Sequence, residues 1–516
     1  MRRINRLWGV GAILLVTQWG FAGVHVWATA LMAAAIFAVT ALALLRDNLR
    51  EGAGRQRRAG FVWWQAPYLL PCGLALLAAA FLQTIPLPWG VLEAVSPKTA
   101  ELVGHAFRAS GGTPPDWASL SLDPAATRAG ILRLGAYLAA LWLVLSGGSS
   151  KRRLRGLATW IVVLGLFQVY YGMVQTYGGE GRIWWWAKEY YRGFVTGTYI
   201  NKNSLGGFLE MATPMAFGLA LAFWGLPDSL RRSRGEQAMT QEQETGASEV
   251  QRVKKRKRRS GESASPERRR QDDNRPNWAL RAKNALFALE DRAVAIVFLV
   301  LGVNLGVGLL LTSSRGAILA LAAGALVMGG LFAFKRHYRR VGAAVLCCCL
   351  VVFVYALSVG MERTTERFAH MDYGLEDRWE LTKASVPIVA DFPFLGTGVG
   401  TFEHVFTSYA PPERGTRVFT YAHNDWLQAA VEMGLLGAGI CVIGFGLFLV
   451  YAVRKWFQRR HPLAVGLGAG AIAAVVAIGV HSLVDFNMHM PANALTLAII
   501  AGIGLRALTY REKVSG

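Results

Sequence analysis

An all-α, polytopic integral membrane protein of about twelve spans, with a large, partly helical outer loop, is the fold class this sequence predicts. Three observations predict it. Of the 516 residues 53% are hydrophobic and only 17% charged, with 17 Trp and a mean hydropathy of +0.31, whereas soluble domains carry roughly a quarter charged residues. Apolar runs recur at or near the roughly 17 to 25 residues that a hydrocarbon core requires. Short basic blocks alternate between them.

The runs are Leu7–Trp27, Ala28–Leu45, Ala66–Leu82, Ile131–Leu145, Leu157–Met173, Leu205–Leu226, Val294–Leu311, Ala317–Phe334, Val341–Val359, Leu435–Val453, Leu463–Val480 and Ala492–Leu508. Arg2, Arg3 and Arg6 precede the first, but no small-residue cleavage site follows, so it is expected to be a retained span and not a signal peptide. Every second connection is basic: Arg2–Arg6, Arg46–Arg58, Lys151–Arg155, the segment after Leu226, Lys335–Arg340, Arg454–Arg460 and Arg511–Lys513. The positive-inside rule makes that side cytoplasmic, with both termini. The other side receives 84–130, 175–204, the turn Ser313–Gly316, 361–434 and 481–491. The chain accordingly divides into N-terminal helices (1–226), a basic loop (227–284), three spans (285–360), a large periplasmic loop (361–434) and three final spans (435–516).

The net charge of +22 could suggest nucleic acid. The block Arg252–Arg259 carries no interleaved aromatics, which argues against it. Residues 227–284 are too polar to fold alone and read either as a solvated inside-positive loop or as a polybasic contact to anionic membrane lipids. The five cysteines lie in apolar segments without disulfide or zinc spacing, and no HExxH or acidic cluster indicates a metal. No cofactor is expected.

Arg315, in Leu-Thr-Ser-Ser-Arg-Gly-Ala (311–317), interrupts an apolar stretch on the outer side. It is either a turn residue snorkelling to headgroups or a phosphate ligand, for which a planar guanidinium is suited. His423 precedes a helix within Tyr-Ala-His-Asn-Asp-Trp-Leu-Gln (421–428). Asp425 and Gln428 have capping-box spacing there and Gly434 is a helix stop. A helix N-terminus favours the neutral imidazole that a general base needs; the alternative is a structural histidine. The loop 175–204 combines Trp184, Trp185, Trp186, Tyr190, Tyr191 and Tyr199 with Arg182, Lys188, Arg192 and Lys202. Its rings fit a headgroup belt and its cations fit an anionic ligand. The segment Gly-Thr-Gly-Val-Gly (396–400) reads as a turn, since no strand precedes it.

Several of these segments together resemble the O-antigen ligase family. They are Leu-Gln-Thr-Ile-Pro-Leu-Pro (82–88), Ser-Leu-Asp-Pro-Ala-Ala-Thr-Arg (121–128), Gly-Thr-Tyr-Ile-Asn-Lys-Asn (197–203), Ser-Arg-Gly (314–316), Asp-Phe-Pro-Phe-Leu-Gly-Thr-Gly-Val-Gly-Thr-Phe (391–402) and His-Asn-Asp-Trp-Leu-Gln (423–428) with Glu432 and Gly434. The resemblance runs in order from about 7 to 508 and spares the basic loop. It implies an architecture like that of the C-type glycosyltransferases and a metal-independent transfer of glycan from undecaprenyl diphosphate to an outer-leaflet acceptor such as lipid A core. For single residues it implies that Arg315 binds the diphosphate, that His423 is catalytic, and that a second arginine comes from the preceding outer loop, with Arg192 the nearest match and Arg182 and Lys202 its competitors. Asn203 and Glu432 complete the substrate-binding set, Glu432 by orienting the outer loop, while Asp425 caps its helix.

The same resemblance extends to O-antigen and exopolysaccharide polymerases and to protein O-oligosaccharyltransferases, which differ in acceptor. Ligation stands first, with inversion expected for a single displacement. A lipid-linked-glycan transporter is the rival from another class. It would show internal repeats and charges at mid-membrane, and neither is evident in the sequence.

Overall fold

A computed structural model describes residues 6–51, 66, 68–147, 150–179, 181–224, 277–347, 350, 373–410 and 418–510. The chain is all-α. Among the described residues 9 helices are long and apolar enough to cross a membrane, and each falls on one of the predicted runs. They are α2 (Val26–Glu51), α6 (Pro124–Ser146), α7 (Lys151–Tyr177), α8 (Lys202–Trp224), α9 (Asn277–Leu311), α10 (Arg315–Phe334), α13 (Asp425–Phe457), α14 (Pro462–His481) and α15 (Pro491–Leu508).

Two further runs form helices of 14 residues, α1 (Arg6–Trp19) and α3 (Leu69–Leu82). At 1.5 Å per residue these fall short of a hydrocarbon core of about 30 Å. The first run is cut because Phe21 and Ala22 adopt left-handed backbone, which ends the helix eight residues before the predicted Trp27. Most of the run Val341–Val359 lies outside the described residues, as do residues 227–276 of the basic loop. The rest of that loop, 277–284, is already the first part of α9.

The centre of the bundle is α8, α14 and α15, whose apolar windows are more than four-fifths buried. The surrounding spans are buried over half of their apolar windows or less, as helices with a lipid-facing side are. The centre closes through small residues: a Cβ at Gly466 would lie 2.2 Å from the Gly218 carbonyl, and one at Gly470 2.7 Å from that of Pro214. Close backbone approach of this kind is the main packing device available where lipid removes the hydrophobic drive.

One end of the bundle carries the structured connections. After α3 a short hairpin pairs β1 (Pro86–Pro88) with β2 (Trp117–Ser119) around α4 (Trp89–Val95) and α5 (Pro97–Ala109). A second hairpin, β3 (Arg182–Ile183) with β4 (Trp186–Ala187), follows α7. From the large loop come α11 (Tyr373–Asp391) and α12 (Phe402–Phe406), around a core of Leu381, Ile388, Phe392, Phe402, Phe406 and Val431. The loop docks on the first hairpin through Leu122 N–H to Thr397 O at 2.9 Å and Gln83 Nε2 to Glu432 O at 2.8 Å. The opposite end carries the described basic connections. There Lys335 donates to Trp456 O at 2.9 Å, Arg153 to Gly147 O at 2.7 Å, Arg155 to Ala222 O, and Arg6 pairs with Asp47.

Candidate active site

The turn between α9 and α10 is tight. Ser313 is left-handed at φ 52°, and Ser314 caps α10 by accepting from Ala317 N–H at 3.4 Å. Arg315 is the first residue of the helix and is exposed. Lys202, the first residue of α8, reaches the same turn, its Nζ donating to Ser313 O at 3.3 Å and lying 3.9 Å over the Phe194 ring. The next residue, Asn203, donates from Nδ2 to Asp485 Oδ2 at 2.7 Å.

Asp485 is the hub between this turn and His423. It is 3% exposed, accepts from Phe486 N–H at 2.9 Å and faces Arg378 on α11 at 3.3 Å. His423 Nδ1 lies 3.7 Å from its Oδ1, just beyond hydrogen-bond length, with the imidazole edge-on to Phe486 at 4.7 Å. Burial works to raise the Asp485 pKa, but the facing His423 ring and the positive charge of Arg378 outweigh it and hold the carboxyl down at about 2. The backbone at His423 is left-handed, φ 51°, a conformation disfavoured outside glycine and found where surroundings dictate it. What dictates it is the start of α13: Asn424 Oδ1 accepts from Leu427 N–H at 3.0 Å, and Asp425 N–H donates to Ser482 O at 2.8 Å.

Asn424, not Asp425, is therefore the cap, which corrects the expectation from spacing. The reason is that Asp425 is buried and fully engaged elsewhere. Its carboxylate accepts from Ser482 Oγ at 2.8 Å and Met488 N–H at 2.9 Å and pairs with His489 Nδ1 at 2.7 Å. The other ring nitrogen of His489 is 4.0 Å from Glu432. Burial lowers the His489 pKa, yet the two carboxylates overcome it and raise it to about 9. Glu432 accepts from Gly400 N–H at 2.8 Å and Gln428 Nε2 at 2.9 Å. Glycine is required at Gly434: with φ 65° it breaks α13 there, and a Cβ would sit 2.3 Å from Phe394 O.

The predicted residues thus separate into two groups. Asn203 and His423 face Asp485 directly, Lys202 beside Asn203 reaches the Arg315 turn at Ser313 O, and Glu432 joins them through His489 and Asp425. Arg182 stands apart on the second hairpin, which leans on the first span through Trp184 against Trp19 and Trp186 against Phe21 and His25. Arg192 is exposed, and its Nε donates to Lys188 O at 2.6 Å. Its neighbour Tyr191 feels the charges of Asp485 and Arg378. Lys188 is buried, which pushes its pKa down to about 8, and its ammonium serves the loop through Phe194 O at 3.3 Å.

Behind Asp425 a cavity of about 420 Å³ runs between α3, α6, α13, α14 and α15. Leucines, Phe445, Phe448 and Val475 line its length, and Arg133, Asp425, Glu432 and His489 stand at its polar end. No lining residue belongs to α8, α9 or α10.

Residues 295–442 match the O-antigen ligase family. The family that the motifs resemble is thus the one that matches, over a segment containing both Arg315 and His423. No curated protein matches the chain. The family match supports a multi-pass membrane enzyme of the ligase or polymerase type, acting on lipid-linked glycan and an acceptor. Lys202, Asn203, Asp485 and His489 lie outside the matched segment and are tied to it by geometry alone.

Sequence reasoning missed Asp485, Arg378 and His489. The link 481–491 holds two histidines, an aspartate and an asparagine between two apolar helices, a density of polar groups that a mere turn does not need. Arg378 carried no comparable signal.

Proposed function

We propose that the chain is an inner-membrane glycosyltransferase that moves a glycan from undecaprenyl diphosphate to a lipid-borne acceptor such as lipid A core, with the Asp485 end of the bundle periplasmic. The observation that carries this is that His423 faces the buried carboxylate of Asp485 while the Arg315 turn packs on the same 481–485 link, at His481 and Val484. Two helix N-termini, those of α8 and α10, meet there with Lys202 and Arg315. Helix N-termini and cations together form an anion site, and the leaving diphosphate is the species that needs one. Arg192, exposed on the neighbouring connection, adds charge to it.

The acceptor hydroxyl attacks the anomeric carbon, its oxygen bonding to carbon as the bond from carbon to phosphate oxygen breaks. The hydroxyl proton passes to His423, whose Nδ1 faces Asp485 and whose Nε2 is left for the acceptor. Asp485 stays ionised through the neutral range and steadies the imidazolium that forms. The electron pair leaves on the diphosphate, where Arg315 meets the growing charge, usually the largest electrostatic contribution. Inversion follows from the single displacement. The cavity behind Asp425 suits the chains of the acceptor lipid, bringing its head to Asp425 and His489 beside the base.

Purified protein given lipid-linked repeat units, with and without lipid A core, tests this by gel analysis of products. Transfer to core alone is expected. Chain growth without core would replace ligation by polymerisation, and movement of donor across proteoliposomes without any transfer would overturn the enzyme reading.

A further inference from the structure

Glu210 and His481 form an ion-pairing contact inside the bundle that the transfer chemistry does not use. His481 Nδ1 is 2.8 Å from Glu210 Oε2, and both side chains are 0% exposed. Each keeps one polar atom, Glu210 Oε1 and His481 Nε2, without a hydrogen-bond partner. An acidic side chain within an apolar span is costly to retain, and an incompletely satisfied pair more so. A stabilising role alone would be better served by apolar packing.

The position of the pair suggests what it is kept for. Asn203 and Glu210 are seven residues apart on α8 and so share one face, two turns apart. Between them Gly206 and Gly207 let other backbones close in: a Cβ at Gly206 would lie 2.6 Å from Ala317 Cβ, and one at Gly207 2.1 Å from Asn487 Oδ1. That face of α8 therefore grips the 481–487 turn at both ends, through Asn203 to Asp485 and through Glu210 to His481. The unpartnered Nε2 of His481 points at the backbone of the other half of the site. A Cβ at Gly316, the residue after Arg315, would lie 2.8 Å from it and 2.9 Å from Cδ2.

We infer that the Glu210–His481 pair is a positioning device that sets the Arg315 turn against the Asp485–His423 pair, so that leaving-group stabiliser and base are held in register. Neither residue touches substrate. The inference rests on the roles proposed above for Arg315 and His423. Misplacing reacting groups by about 1 Å costs on the order of 100-fold.

The test uses the full-length protein in detergent or proteoliposomes, with rates normalised to folded protein by thermal unfolding and size exclusion. Glu210→Gln keeps shape and hydrogen-bonding capacity and should fold, with kcat down about 10- to 100-fold and donor KM raised. Gly316→Ala in the wild type should cause a loss of similar kind by pressing on the His481 ring. In a His481→Ala background the same alanine finds room, so its added cost should disappear. If Glu210→Gln and His481→Ala lower only the unfolding temperature and leave the normalised rate unchanged, the pair is structural and the inference is overturned. Additive effects of Gly316→Ala and His481→Ala would overturn it equally. Arg315→Ala and His423→Ala run alongside: if these retain wild-type rates, the site assignment itself has failed, an outcome distinct from failure of the positioning role alone.

Discussion

At the basic end of the bundle cations sit where helices finish. Lys335 donates to the carbonyls of Trp456 and Arg459, Arg459 to that of Leu508, and Arg155 to that of Ala222 while stacking on Phe223 at 3.9 Å. The Trp456, Leu508 and Ala222 carbonyls lie at the electronegative poles of their helices, so the charges are matched locally and anchor the fold. At the other end Lys202 and Arg315 stand as the first residues of α8 and α10, the electropositive poles, where a cation gains nothing from its own helix. Helix α7 also opens on cations at the basic end, but Arg153 and Arg155 there donate to the carbonyls of Gly147 and Ala222. The two N-terminal cations set side by side at the end carrying His423 gain from an incoming anion, which is why the two ends are expected to respond differently to substitution.

The largest effect is expected at His423. His423→Ala should lower the transfer rate by about 100- to 10,000-fold, the range for loss of a general base, with donor binding nearly unchanged. Arg336→Ala, exposed at the basic end, should leave the rate alone. Radiolabelled donor binding and initial rates measured on both proteins check the contrast. A wild-type rate in folded His423→Ala protein would move the base elsewhere and erase the distinction between the ends.

Arg315→Ala should lose nearly all activity with weaker donor binding, whereas Arg315→Lys should keep part of it, since it preserves charge but not the two-pronged donor geometry. Equal loss in both would mean that geometry outweighs charge at this position. Smaller again is Asp485→Asn, which keeps the acceptor for Asn203 but removes the charge facing His423. Loss of an orienting partner of this kind costs about 10- to 100-fold, to be read as kcat at saturating donor.

These expectations draw on sequence and structure in unequal shares. The spans were legible because hydropathy and charge alternate over long windows, and Arg315 was legible because a cation in an apolar stretch has no ordinary reason to be there. His423 and Glu432 were visible through their motif. Asp485 was not, because its significance lies in bonds from Asn203 on α8 and Arg378 on α11, partners 282 and 107 residues away. Local patterns do not report such distances. Spacing misassigned the cap for a related reason: Asn424 and Asp425 are both competent caps, and only the burial of Asp425 against His489 decides between them.

A modest pH effect should distinguish the site end in stability as well as rate. His489 is one-fifth exposed and its pKa is raised from 6.5 to about 9 in the folded protein. A raised value contributes stability that is fully present below the unfolded pKa and lost as pH climbs through the folded one. The apparent Tm should therefore decline between about pH 6.5 and 9, by a few degrees at most given the partial exposure. In His489→Gln protein that slope should flatten. An unchanged slope in the variant would assign the decline to other groups.

The smallest expected effect on activity, and the sharpest test of which end is which, comes from labelling. Arg336→Cys at the basic end and Thr407→Cys in the large loop both replace exposed residues, and surface changes of this sort usually shift stability by no more than about 0.5 kcal/mol. Activity should stay near wild type in both, so any difference in labelling reports sidedness and not misfolding. In intact spheroplasts a membrane-impermeant maleimide should modify the Thr407→Cys protein and spare the Arg336→Cys protein until the membrane is opened. The five native cysteines set the background to be subtracted. Labelling in the reverse order would turn the bundle over and place Asp485, His423 and Arg315 in the cytoplasm. The anion site would then face soluble nucleotide-linked donors, and the positive-inside rule would have failed on seven basic connections at once.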